Sequence, residues 1–75
     1  MTEMVAEEVV ITVNGDERHL LAGSTMADLL ASLDLDARTV VVERNRTILR
    51  DRSSFAKLEL QGDDSIEIVH FVGGG

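Results

Sequence analysis

Three consecutive glycines, Gly73-Gly74-Gly75, close the sequence, and the group with the most chemical scope is the carboxylate of the last one. A thread without Cβ atoms can enter a channel too narrow for any side chain, and Val72 to Gly75 span about 14 Å when extended. A carboxylate is inert toward nucleophiles until one oxygen becomes a good leaving group. Adenylation by ATP provides that, and attack of a sulfur donor on the acyl-adenylate leaves a thiocarboxylate on Gly75. On the glycines alone a frayed terminus is the simpler account, because chain ends are commonly disordered.

No other set of residues competes. The serines at 24, 32, 53, 54 and 65 have no histidine close by in sequence to act as a base. His19 and His70 stand far apart and lack the clustering of a metal site, so no metal ligand is assigned. Asp63-Asp64 follow Gln61-Gly62 and read as turn residues instead of a paired acid and base. The absence of cysteine excludes disulfides and thiolate chemistry, so any sulfur handled must come from outside. Fourteen acidic against seven basic residues give a formal charge of -7, which disfavours nucleic acid and anionic membrane surfaces as partners. The same charge favours a basic surface on another protein. With 75 residues the chain holds one small domain with little room for a deep cleft, which suits a partner or substrate better than an independent enzyme. The first eight residues lack a basic leader and no apolar run reaches membrane-spanning length, so a soluble cytoplasmic protein is expected.

The elements that must position the tail are legible in outline. Residues 9–13 are β-branched and run into Asn14-Gly15, the dipeptide suited to a two-residue hairpin turn, with a return strand over 17–21. Val9, Ile11 and Val13 share one face and are assigned to the core. Thr25 with Asp28 predicts a capped helix over 25–33, and Met26, Leu29, Leu30 and Leu33 form its apolar stripe. A third strand is read over 39–43, a short return over 46–49, an irregular crossing with at most a helical turn over 50–56, and a short edge strand over 57–60. The last strand runs from Ser65 to Phe71. This order, hairpin, helix and returning C-terminal strand, predicts an α+β sheet of about 4–5 strands with one helix packed across it.

Taken together, Asn14-Gly15, residues 25–30, Val40 to Asn45, Gly62 to Ile68 and Val69 to Gly75 make a pattern that resembles the ThiS family of thiamine-biosynthesis sulfur carriers. The resemblance covers the chain from Val9 and implies a ubiquitin-like β-grasp over residues 9–72, with residues 1–8 as an extension and 73–75 as a flexible tail. It implies that Gly75 carries the acyl group and that Gly73 and Gly74 thread into partner active sites. The implied partners are a ThiF-type adenylating enzyme that uses ATP, a ThiG-type thiazole synthase and a sulfur donor system, with no cofactor bound by the chain itself. Two related readings stay open here: a molybdopterin synthase small-subunit-type carrier, and a ubiquitin-related protein modifier. The missing proline speaks against the first.

The final strand adds a docking expectation. Ile66, Ile68 and His70 share one face, and Glu67, Val69 and Phe71 the other. With Ile66 and Ile68 as the core pair, Val69, Phe71 and Val72 form an apolar patch beside the tail, available for partner binding.

Overall fold

The computed structural model describes residues 7–71. Strand β1 (Glu8–Val13) turns back into β2 (Asp16–Leu21) through Asn14 and Gly15, whose φ angles of 50° and 86° are the two positive values this tight hairpin needs. Helix α1 (Met26–Ser32) follows, then β3 (Val40–Arg44), the two-residue β4 (Thr47–Ile48) and β5 (Ser65–His70). Short 3₁₀ turns occupy Ala37–Thr39, which the sequence reading missed, and Arg52–Ser54, within the segment read as irregular. The strands form one sheet in the order β2-β1-β5-β3-β4. Strands β1 and β5 run parallel at its centre and the other pairings are antiparallel, so the described residues form the mixed five-stranded β-grasp with one helix.

The helix forms where the apolar spacing and the cap coincide. Thr25 Oγ1 accepts from the Asp28 N–H at 3.1 Å and the Asp28 carboxylate accepts from the Thr25 N–H at 2.9 Å, the reciprocal box read from the sequence. Met26, Leu29 and Leu30 are buried. Leu33 is only half-buried because it sits at the C-cap, where the helix ends in a Schellman turn. Asp34, at φ 59°, takes the left-handed position, and the Leu35 N–H reaches back to the Leu30 carbonyl at 2.9 Å.

Two boundaries differ from expectation. Strand β1 begins at Glu8, and the Glu7 carbonyl accepts from the Ala22 N–H at 2.9 Å, so residues 7 and 8 belong to the hairpin and not to an extension. Residues 57–60 form no sheet strand; a single bridge joins Glu59 to Thr25. Their partners lie at the start of the helix instead. The Leu58 and Phe55 carbonyls accept from the N–H groups of Met26 and Ala27 at 2.8 and 3.0 Å, and the Leu60 N–H donates to Ser24. The long crossing thus satisfies donors that a helix start leaves open. It also contributes two core residues that the periodicity did not reveal, Phe55 and Leu60, beside Ile11, Val13, Val40, Val42, Ile66 and Ile68.

Candidate functional site: the end of β5 and the open sheet face

Among the described residues only one side of the sheet is covered. Ile66 and Ile68 point to the helix side and are buried, as the alternation required. Glu67, Val69 and Phe71 take the other parity, and Val69 and Phe71 are 58% and 53% exposed. Val41 stands opposite Val69 across the β3–β5 pairing, and β3 also sets Ile48 opposite Glu43. The apolar strip on the open face therefore extends from Val69 and Phe71 through Val41 to Ile48. Val41 and Ile48 were missed in the sequence; the signal available was the alternation within 40–44.

The root of the tail is held in place. The Phe71 N–H donates to the Thr39 carbonyl at 3.0 Å, extending the β3–β5 ladder past the last residue of β5. The Arg52 guanidinium lies 5.5 Å from the centre of the Phe71 ring. Arg52 is fixed by Nε donating to the Ala37 carbonyl at 2.8 Å and a terminal nitrogen donating to the Val40 carbonyl at 3.1 Å. The ring of Phe71, the ends of β3 and β4 and the 50–52 segment enclose a groove of about 420 Å³. Val72, Gly73, Gly74 and Gly75, the rest of the expected site, lie outside the described residues.

His70 has the parity of the core pair but is exposed, at the mouth of a second hollow of about 260 Å³ that it shares with Leu33, Asp16 and Arg18. The other histidine, His19, is on β2, where it meets Glu17 at 3.0 Å and Glu8 at 3.4 Å. The hydrogen bond to Glu17, then that to Glu8, raises its pKa above the ordinary 6.5. Among the described residues no three histidine, aspartate or glutamate side chains stand together as a metal site.

The other end of β5 is locked. Asp63 makes the turn at φ 70°, while Asp64 is a buried carboxylate, a role that sequence reading did not assign. Its oxygens accept from Arg44 at 2.8 and 2.9 Å, from the Asn45 amide at 3.0 Å and from the Gln61 N–H at 2.8 Å. Burial pushes this carboxyl up, but the bonds from Gln61, Asn45 and Arg44 outweigh it and hold it below the ordinary carboxylate range. Near the middle of β5, the Asn14 side chain donates to the Ile68 carbonyl at 3.2 Å and accepts from the Ile68 N–H at 2.8 Å. It prolongs the β1–β5 contact beyond its main-chain pairs. The strand that leads to the tail is thereby fixed at its start, in its middle and just past its last residue.

The sequence model of the ThiS family matches residues 11–75. The chain belongs to the ThiS family. Sulfur carrier protein ThiS of Bacillus subtilis is 51% identical over 51 residues, which are 68% of this chain and 76% of that protein. The crystal structure of the thiamine biosynthesis protein ThiS from Geobacter metallireducens superposes with a TM-score of 0.70 at 31% identity, covering 89% of this chain and all of that one. Its ThiS fold is the β-grasp expected here. Similarity also reaches a protein named thiazole synthase in Paramagnetospirillum magneticum, 43% identical over 65 residues, 87% of this chain. The chain spans 20% of the length of that relative. Among the described residues no helix is long and apolar enough to cross a membrane.

Proposed function

We propose that this ThiS-family chain works as a cytoplasmic sulfur carrier, a substrate of other enzymes, with its chemistry at the carboxylate of Gly75. That carboxylate attacks ATP in a ThiF-type adenylating enzyme and releases pyrophosphate. A hydrosulfide-equivalent donor then attacks the acyl carbon, AMP departs, and a thiocarboxylate remains. The thiocarboxylate donates its sulfur to a ThiG-type thiazole synthase for the thiazole ring of thiamine. Gly73 and Gly74 thread into both active sites, and Val69, Phe71 and Val72 dock beside the entrance.

The observation that carries this reading is the match of the family through Gly75, on a fold whose central strand is fixed up to Phe71. The similarity of this chain to a fifth of a thiazole synthase supports that enzyme as the acceptor. ATP is consumed by the activating partner, and no cofactor is assigned to the carrier.

The test is intact mass after incubation with the adenylating enzyme, ATP and a sulfide source. Replacement of one oxygen by one sulfur is expected on the wild-type chain and not on a chain lacking Gly75. Thiazole formation supported by the Gly75-deleted protein would refute the assignment. A bulky residue at Gly74 should block transfer without moving the thermal midpoint.

A further inference from the structure

The chain has three carboxamide side chains, Asn14, Asn45 and Gln61, and two of them, Asn14 and Gln61, precede a glycine. The main-chain nitrogen that follows an asparagine can attack the side-chain carbonyl carbon and close a five-membered imide, and a following glycine leaves that approach open because it has no Cβ. Gln61 would have to close a six-membered ring, which forms more slowly, and Asn45 is followed by Arg46, whose side chain hinders the attack. Asn14-Gly15 is therefore the reactive pair. Both residues are exposed at the hairpin tip, and no atom stands within 4 Å of the place a Cβ on Gly15 would take.

The fold holds this pair back. The Asn14 main-chain N–H donates to the Ile66 carbonyl at 2.9 Å, and its side chain donates to the Ile68 carbonyl at 3.2 Å and accepts from the Ile68 N–H at 2.8 Å. The main-chain pairs of β1 with β5 are Thr12 with Ser65 and Val13 with Ile66, so the Asn14 carboxamide stands in for the next rung. With its oxygen and its nitrogen both engaged, it cannot turn its carbon onto the Gly15 nitrogen until both bonds to Ile68 are given up.

We propose that Asn14 is a site of spontaneous deamidation, gated by the opening of β5 from the hairpin, and that the reaction removes a support of β5. Once the bonds to Ile68 open, the Gly15 nitrogen loses its proton to solvent base and bonds to Asn14 Cγ. The Cγ–Nδ2 bond breaks and ammonia leaves. Water then adds to one of the two imide carbonyls. Breaking the bond between Cγ and the Gly15 nitrogen gives aspartate at position 14; breaking the bond from the main-chain carbonyl gives isoaspartate, with the chain routed through Cγ. In the aspartate product a carboxylate oxygen replaces the N–H donor that faced the Ile68 carbonyl, so acceptor meets acceptor. In the isoaspartate product the turn gains a backbone atom, which a two-residue hairpin with φ angles of 50° and 86° does not fit. The strand that carries the glycine tail then keeps its clasp at Asp64 and loses the one at Ile68. This chemistry is independent of the sulfur transfer proposed above.

The experiment is peptide-mapping mass spectrometry of the full chain aged at neutral pH, with hydrogen exchange measured at the Ile68 amide. Product is expected at Asn14 before Asn45 or Gln61, at a rate about tenfold or more below that of an unfolded peptide spanning residues 9–20. Asp64→Ala loosens the start of β5 without touching the hairpin, and it should speed Ile68 exchange and Asn14 deamidation by the same factor. If that variant does not fold, a series of sub-denaturing urea concentrations on the wild-type chain makes the same comparison. Equal rates in chain and peptide, or deamidation that does not follow Ile68 exchange, would overturn the gate. First product at Asn45 or Gln61, or none at Asn14 in the loosened chain, would overturn the site. The separated aspartate product and Asn14→Asp should both melt below the wild type, and the isoaspartate product lower still. An unchanged midpoint in all three would show that the Asn14 bonds to Ile68 do not support β5.

Discussion

Alternate residues of the same strands build two unlike faces. On the covered face, Ile66 and Ile68 of β5, Val40 and Val42 of β3, and Ile11 and Val13 of β1 meet Met26, Leu29 and Leu30 of the helix, all of them buried. On the open face, Val69, Phe71 and Ile48 remain exposed. The difference shows a division of labour that alternation makes available at no cost in chain length. One parity holds the domain together, and on the proposed reading the other receives a partner. A stability change should therefore follow one parity and a binding change the other.

The largest effect is expected where the covered face is most tightly closed. Leu30→Ala removes a side chain that is 3% exposed and should cost about 2–5 kcal/mol, read as a fall in the denaturant midpoint. A change near zero would mean that the helix stripe does not seal the sheet, and the contrast between the faces would collapse.

Next comes the polar end of the covered face. Asp64→Ala leaves Arg44 without its carboxylate and Asn45 and Gln61 without an acceptor, so a loss of about 3 kcal/mol is expected. Because the folded-state pKa is depressed, this contribution is complete above the unfolded value, about pH 4, and is lost as pH falls through the lower folded value. Asp36 lies on the same acid limb, held at about 2 by hydrogen bonds from Arg38. Comparison of acid melts of the wild type and Asp64→Asn isolates Asp64; parallel curves would rule out a protonation-linked clasp.

On the open face the order of effects reverses. Phe71→Ala should lower stability by no more than about 1 kcal/mol, since it loses a half-exposed ring and its contact with Arg52. Its affinity for the adenylating enzyme and thiazole synthase should fall further than that. Unchanged affinity with a marked loss of stability would place Phe71 with the core instead. The smallest effect is at His19. Proton resonances should show it titrating above 6.5, and Glu17→Gln should bring it down. Any stabilisation from its pairs is present below the unfolded pKa and fades as pH rises through the raised one. A normal titration in the wild type would show that the Glu17 and Glu8 contacts do not persist in solution.

Period and turn chemistry carried much of this structure. The alternation in 9–13 and 65–71, the Asn14-Gly15 turn, the Thr25–Asp28 box and the helical stripe are each set by residues within a few positions of one another, and each formed as those residues dictate. They also determined that Val69 and Phe71 would share a face opposite to Ile66 and Ile68. Tertiary structure decided what local pattern does not encode. Phe55 and Leu60 became core residues because the crossing between β4 and β5 wraps the start of the helix, and Asp64 became a buried acceptor because Arg44 and Asn45, some twenty positions earlier, arrive beside it. Likewise, the register of β3 against β5 set Glu43 against Glu67 and drew Val41, Ile48, Arg50 and Arg52 around Phe71. Such pairings are fixed by which strands become neighbours, and that choice is made by closing the whole core around one helix.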